Sequence, residues 1–355
     1  MENGFQHVFL IQSIIKNETA LLQALEHENL CRKEYEERLI SMIKPIAEGY
    51  PCQNVFMHGP AGSGKTSMVK HVLDQLRDYN PRVSCIYVNC WYHSTSMAIY
   101  TKIAEALGEP VSRRGRATDE IFDRIIELMK YSKTPVMLVL YEIDGLLCSD
   151  DVRILHNITR SPHLEAVFGI VGISNDRNIF ARIHPRMRDH LTFTNFEVQG
   201  YNRDELFELL KLRAEAGLFS ESYDFDALKK IADFALEHNG NGRLALELLC
   251  KTAKQTQLDG KTRFSTAEVE EMIRSIESST PFFGQEERLI IEILSGGQKT
   301  SSEFYWRFQK TMWISKRQIR NYLAALECKG VIETRLIQKG NQPGFKIIKL
   351  KDGGV

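Results

Sequence analysis

None of the seven cysteines (Cys31, Cys52, Cys85, Cys90, Cys148, Cys250, Cys328) stands in a C-x-x-C pair. That scatter argues against both a disulfide framework and a zinc site, and leaves reduced cytosolic thiols as the plain reading. Met1 opens a polar stretch without the apolar core of a signal peptide. Apolar runs such as Val136–Leu140 are strand-sized and far too short to cross a bilayer, so no membrane partner and a cytoplasmic location are expected. Net charge is also missing: 46 basic residues balance 46 acidic ones, and the whole-chain sum implies no polyanionic partner. Such a sum still conceals any unequal sharing of charge between domains. Internal repeats and low-complexity tracts are absent. What remains is a chain of 355 residues, 43% hydrophobic and 26% charged, which suits a soluble protein of two or three domains.

Residues 17–50 are polar with helical spacing, as in Leu21, Leu22 and Leu25, then Leu39, Ile40 and Ile43. From Asn54 short apolar runs alternate with helical stretches. Val55–Met57 precedes helix 66–76, Cys85–Val88 precedes helix 96–107, and Val136–Leu140 precedes helix 150–159. The runs Val167–Ile173 and Leu191–Val198 follow. Apolar strands separated by helices predict a parallel sheet covered on both faces. After Gly200 the strands stop, and helices are predicted over 203–216, 225–238, 242–257 and 266–276. A Ser-Ser-Thr-Pro stretch at 278–281 marks a second boundary. The tail reads as helices over 285–294, 301–309 and 315–329, then strands over 331–337 and 344–350 with a tip containing Gly-Asn. Three domains are expected, at 1–199, 200–280 and 281–355.

The strongest motif is Gly59-Pro60-Ala61-Gly62-Ser63-Gly64-Lys65-Thr66, placed between a strand and an amphipathic helix. Its glycines let the backbone curl so that amides face phosphate oxygens, and the helix N-terminus adds a favourable dipole. Lys65 is positioned to reach the β- and γ-phosphates of ATP or ADP, and the Thr66 hydroxyl to bind Mg2+.

Leu138-Val-Leu-Tyr-Glu-Ile-Asp144 has the form of a strand closing on an acidic pair. In that pattern an Asp helps hold magnesium and a Glu polarises the attacking water. Glu142 is present, but Tyr141 stands where the Asp belongs. Asp144, two residues past Glu142, is a doubtful replacement. Nucleotide binding is expected to survive this departure, with hydrolysis slow or absent.

Other polar residues fall at strand and helix ends. Asn175 closes the run Val167–Ser174, where it serves either to orient the lytic water or only to turn the chain. Arg186 and Arg188 precede the last strand, as a trans arginine finger or a solvated basic turn. Arg243 opens a helix after Gly200 and is read either as a contact to the γ-phosphate or as a surface residue.

Together these motifs resemble the archaeal-type replication initiators related to origin recognition complex subunit one and cell-division-cycle protein six. The resemblance runs from about residue 25 to the end. Asn29-Leu-Cys-Arg-Lys-Glu loosely matches the family's opening segment. Asn54, the P-loop, Val88-Asn-Cys90 and Glu142-Ile-Asp144 follow in order. Gly172-Ile-Ser-Asn-Asp176 matches sensor 1, and Gly242-Arg243-Leu-Ala-Leu matches sensor 2. Phe196-Glu-Val-Gln-Gly-Tyr201, Glu205-Leu206 and Arg213-Ala214 match a further segment. The resemblance implies an α/β AAA+ domain with a parallel sheet, a helical lid and a C-terminal winged helix. It also implies that Tyr201 and Arg213 line the nucleotide site. The implied partner is double-stranded origin DNA, with the replicative helicase and further copies of the chain as additional candidates.

The tail conforms to a winged-helix DNA reader. Its third helix carries Lys316, Arg317 and Arg320 near its start, and the hairpin tip carries Lys339. Residues 282–351 hold 13 basic and 6 acidic residues, a surplus of 7 positive charges in a chain that sums to zero. Winged helices also serve as protein–protein modules, so the charge decides the reading. An ATP-regulated initiator is the favoured function. The competing reading is a turnover ATPase serving a mobile element or a remodelling machine, and Tyr141 weighs against it.

Overall fold

The computed structural model describes residues 13–22, 32–109, 117–148, 153–159, 166–182, 191–279, 285–312, 314, 316–328, 331–337 and 345–351. The chain divides into two compact units, Met1–Met272 and Ile273–Val355.

Five parallel strands organise the first unit: β1 (Asn54–His58), β2 (Ser84–Asn89), β3 (Val136–Tyr141), β4 (Phe168–Ser174) and β5 (Phe193–Glu197). Their order is β2-β3-β4-β1-β5, so the strand leading into the glycine-rich loop lies inside the sheet. All seven residues of β4 are buried, as a strand covered on both faces requires. Alternate side chains feed two cores. Val55, Met57, Met137, Val139 and Ile173 face α2 (Lys33–Ile43) and α3 (Lys65–Tyr79). Phe56, Leu138, Leu140 and Ile170 face α4 (Ser96–Ala106) and α5 (Thr118–Ser132), with α6 (Asp144–Cys148) and α7 (Arg153–Thr159) beyond them.

The sequence reading differs from the structure at three places here. Residues 17–50 are not one run: α1 (Glu18–Leu22) and α2 are separate, and α2 gives way to a 3-10 turn at Lys44–Glu48. Pro45 sits at the start of that turn, and Gly49 closes it at φ 80°. Helix α5 was not foreseen. Two helices, rather than one, connect β2 to β3, although the stripe Ile121, Ile125, Ile126, Met129 is plain once sought. Helix α6 was likewise missed, because Asp144 begins a new turn immediately after the strand exit.

The rest of the first unit is helical: α8 (Arg203–Gly217), α9 (Phe225–Glu237), α10 (Gly242–Leu258) and α11 (Thr266–Ser279), within which the division between the units falls. A capping box starts α8, with Asn202 accepting from the Glu205 amide at 2.9 Å and Glu205 accepting from the Asn202 amide at 2.8 Å. The α1 segment packs on α8 and α10, with Leu21 fully buried.

The second unit runs α12 (Gln285–Ser295), β6 (Lys299–Thr300), α13 (Ser301–Thr311), α14 (Lys316–Cys328), β7 (Ile332–Ile337) and β8 (Phe345–Leu350). The strands form an antiparallel sheet in the order β6-β8-β7. Three helices and a three-stranded antiparallel sheet are consistent with a winged-helix arrangement. The two-residue β6 is too short to leave a periodic signal. Leu323, Leu326 and Val331 join Phe304, Phe308 and Ile348 in the core, as their spacing predicts. Among the described residues no helix is long and apolar enough to cross a membrane.

Candidate nucleotide site

The loop Gly59–Gly64 leaves β1 and enters α3. Gly62 and Gly64 hold φ of 74° and 83°, the left-handed region that side chains disfavour. Both are also closely covered. A Cβ on Gly62 would overlap the Asn241 carboxamide oxygen, and one on Gly64 would overlap the Tyr201 hydroxyl. The left-handed backbone favours glycine at each position, and a Cβ there would also displace a neighbouring side chain.

Lys65 is 6% exposed. Its ammonium donates to the carbonyls of Gly59 at 2.9 Å and Pro60 at 2.7 Å, and to the Ser63 hydroxyl at 3.2 Å. Burial pushes its pKa down to about 8, the Arg243 charge pushes the same way, and Asp144 opposes them. A buried ammonium resting on carbonyl oxygens lacks a full counter-charge, which a phosphate supplies. Thr66, the next residue, is exposed.

The helical part of the unit closes on this loop. The Gly242 amide donates to the Gly62 carbonyl at 3.0 Å, and the Tyr201 amide donates to the Gly240 carbonyl at 2.9 Å. Asn241 caps α10, accepting from the Leu244 amide at 3.2 Å. Arg243 is exposed one turn-position later, within electrostatic reach of Lys65. Over Tyr201 lies the Arg32 guanidinium, 3.9 Å from the ring centroid. Arg32 is 3% exposed, donates to the Gln199 carbonyl at 2.9 Å and pairs with Glu205 at 3.5 Å.

Two strand exits flank the loop. β4 pairs with β1 so that Ser174 lies opposite His58, which brings the exposed Asn175 level with the start of the loop. At the end of β3, Tyr141 turns toward the α3 face and stacks on Tyr87, centroids 5.9 Å apart and planes 12° from parallel. Its hydroxyl is buried without a hydrogen-bond partner, and burial holds the phenol far above its ordinary pKa. Glu142 follows at φ 49°, with its side chain exposed.

Residues 49–171 match the AAA domain family, and residues 207–273 match the Cdc6 AAA+ ATPase-type lid domain. ORC1-type DNA replication protein 1 of Sulfurisphaera tokodaii is 26% identical over 358 residues, spanning 95% of this chain and 90% of the relative. The solved structure of the Aeropyrum pernix ORC1 protein in complex with DNA superposes with a TM-score of 0.69 at 23% identity, covering 96% of this chain and 94% of the other. The Aeropyrum pernix ORC2 protein, in its ADPNP-ADP complexes, gives 0.65 at 17% identity, covering 95% and 94%. The chain carries an AAA domain and a Cdc6 AAA+ ATPase-type lid, and it is similar over nearly its whole length to ORC1-type DNA replication proteins.

The structure gathers the P-loop, Tyr201 and Arg243 into one place and sets Asn175 and Glu142 at the neighbouring strand exits. Arg213 lies on α8, the helix that Asn202 caps. It lies ten residues further along α8 than Arg203, about 15 Å along the helix axis. There it is 1% exposed and donates to the Ala20 carbonyl at 2.8 Å. That bond ties the α1 segment to the helix. Arg186, Arg188 and Lys339 lie outside the described residues. Lys316 and Arg317 occupy the first two positions of α14, and Arg320 is exposed one turn on. Asn241 and Arg32 are the residues that motif reading passed over as site members. The signal for Asn241 is its N-cap identity before Gly-Arg; that for Arg32 is the Arg-Lys-Glu match in the opening segment.

Proposed function

We propose that this chain is an ATP-regulated DNA-binding protein that acts in the initiation of DNA replication and supports helicase loading. The observation that carries the reading is the seating of the lid on the P-loop through Gly242, Asn241 and Tyr201. A nucleotide bound at Lys65 then sets the lid, so nucleotide state becomes conformational state. Similarity to ORC1-type DNA replication proteins supplies the rest. The winged helix, with its basic surplus, is the DNA-binding element, and Lys316, Arg317, Arg320 and Lys339 are its candidate contacts. Self-association and the helicase are further proposed partners, in a nucleoid-associated cytoplasmic setting.

The glycine cradle and the buried ammonium of Lys65 fit ATP or ADP. Mg2+ fits less fully. Thr66 supplies a hydroxyl, Tyr141 supplies no carboxylate, and the described residues hold no cluster of His, Cys, Asp or Glu suited to a metal. When bound with the phosphates, the ion would neutralise their charge and orient the γ-phosphoryl group. Glu142 would polarise water, Asn175 would orient it, and Arg243 would meet the γ-phosphate from the lid. Arg186 is the candidate finger toward a neighbouring copy. With Tyr141 half-buried and stacked on Tyr87, hydrolysis is slow and ATP acts chiefly as a conformational ligand, which removes the main support for a turnover motor. Footprinting on DNA from the source genome, with and without ATP, tests the reading. Nucleotide-dependent protection of one discrete region is expected; uniform weak protection at all sequences overturns it.

A further inference from the structure

Asp144 has no part in the nucleotide contacts assigned above, yet it joins three elements of the site. After Tyr141 the chain turns at Glu142, and the Ile143 amide donates to the Ile173 carbonyl at 3.1 Å. This ties the exit of β3 to the last turn-residues of β4. One residue later, Asp144 opens α6, and its Oδ1 accepts from the Ser174 hydroxyl at 3.1 Å. Ser174 is 2% exposed. Its oxygen accepts in turn from the Asp176 amide at 2.8 Å, and Asp176 Oδ1 accepts from the Asn178 amide at 2.9 Å. Two side-chain turns in series therefore shape the loop, and Asn175 stands at the tip of the first.

A serine hydroxyl has one proton and two lone pairs. Ser174 Oγ also lies 3.3 Å from the Asp176 carbonyl, which competes for that proton. The carboxylate is the stronger acceptor, so Asp144 decides where the hydroxyl points and leaves its lone pair for the Asp176 amide. Removing the carboxylate frees the hydroxyl to rotate, and the tip residue loses its fixed position. Asp144 also opposes the lowering of the Lys65 pKa, so its charge is felt at the phosphate-binding amine.

We propose that Asp144 is a positioning residue for γ-phosphate recognition, acting through the Ser174 hydroxyl to fix the turn that presents Asn175. The inference rests on reading this loop as part of a nucleotide site. It assigns a role to the acidic residue that follows the substituted strand end, and it leaves nucleotide binding itself to the P-loop.

The test is calorimetric binding of ADP and of a non-hydrolysable ATP analogue to the full chain, in wild type, Asp144→Ala, Ser174→Ala and Ser174→Thr. Loss of one hydrogen bond predicts an analogue affinity reduced about 3- to 10-fold in the two alanine variants, with ADP affinity unchanged within about twofold. Ser174→Thr keeps the hydroxyl and should restore the analogue affinity. The double alanine variant should lose less than the sum of the two single losses, because both remove the Asp144–Ser174 link. Equal losses for ADP and analogue, additive losses, or failure of threonine to rescue would overturn the inference. A wild type that binds neither nucleotide overturns the nucleotide reading itself, and this inference with it.

Discussion

The main-chain amide of Gly242 donates to the carbonyl of Gly62 at 3.0 Å, so the first residue of a lid helix is bonded to the middle of the phosphate loop. No side chain is needed for that bond. It therefore depends on how closely the two backbones approach, and the Asn241 carboxamide fills the space where a Gly62 side chain would lie.

Gly62→Ala tests this closeness. The residue sits at φ 74°, and its new methyl group would meet Asn241. Backbone strain alone is of order 1–3 kcal/mol, and the clash adds to it. Nucleotide affinity should fall about tenfold or more, and thermal stability should fall with it. An alanine variant with unchanged affinity and unchanged melting would show that the lid does not rest on this loop.

Lys65 gives a prediction in pH. Its folded pKa is pushed down to about 8 from the ordinary lysine value of 10.5, with burial the main cause. The unfolded chain therefore holds this proton more tightly than the folded one, so stability rises with pH between about 8 and about 10.5. Binding has the opposite sign. A phosphate favours the protonated amine, so nucleotide affinity should fall as pH rises through about 8, and binding should take up a proton near that pH. Calorimetry in buffers of different ionisation enthalpy measures that uptake directly. Lys65→Ala should abolish the uptake and weaken binding by about 2–3 kcal/mol. Proton-neutral binding across this range would contradict the placement of the amine against phosphate.

How much of this was legible from sequence differs by element. The P-loop was, because strand, glycines, lysine and helix are contiguous and each carries its own signal. Arg243 was readable as opening a helix and matching sensor 2; its approach to Lys65 needed the fold. Asn241 was not, since an N-cap asparagine looks the same whether or not it lies over a glycine from a distant part of the chain. Arg213 matched a motif but its burial beneath the α1 segment depends on packing that no spacing encodes. Helix α5 carries a plain apolar stripe, Ile121, Ile125, Ile126 and Met129, but nothing in that spacing marks it as a second helix between β2 and β3.

Tyr141 yields a paired prediction. Its hydroxyl is buried without a partner, so Tyr141→Phe removes an unsatisfied group and should leave stability unchanged or raise it by about 1 kcal/mol. Tyr141→Asp should lower stability, because it puts a carboxylate beside Tyr87 in a region influenced by Asp74. The same aspartate restores an anion at the strand end, so ATP turnover should rise well above wild type while melting temperature drops. Adding Glu142→Gln should remove the gain in turnover. Brisk hydrolysis by the unmodified chain, unaffected by Tyr141→Asp, would place the magnesium site elsewhere.

The last prediction concerns the winged helix. Lys316, Arg317 and Arg320 share the start of α14, and Arg320 is exposed. The same unit presents Trp306, 64% exposed, with the Lys310 ammonium 5.4 Å from its ring centroid. Lysines that meet phosphates release counterions, so their loss weakens binding on every sequence. Each lost phosphate contact should reduce the slope of log affinity against log salt by about 0.9. Lys316→Ala and Lys339→Ala in the full chain should behave this way, with the ranking of DNA sequences preserved. An arginine that reads a base edge behaves differently: its loss costs about 1–3 kcal/mol on the preferred site and little on random DNA. Arg317→Ala or Arg320→Ala should therefore narrow the gap between specific and non-specific DNA at fixed salt. Binding isotherms at several salt concentrations separate the two behaviours. If all four variants keep wild-type affinity, slope and preference, the basic surplus of this unit serves another partner, and the winged helix is a protein-binding module.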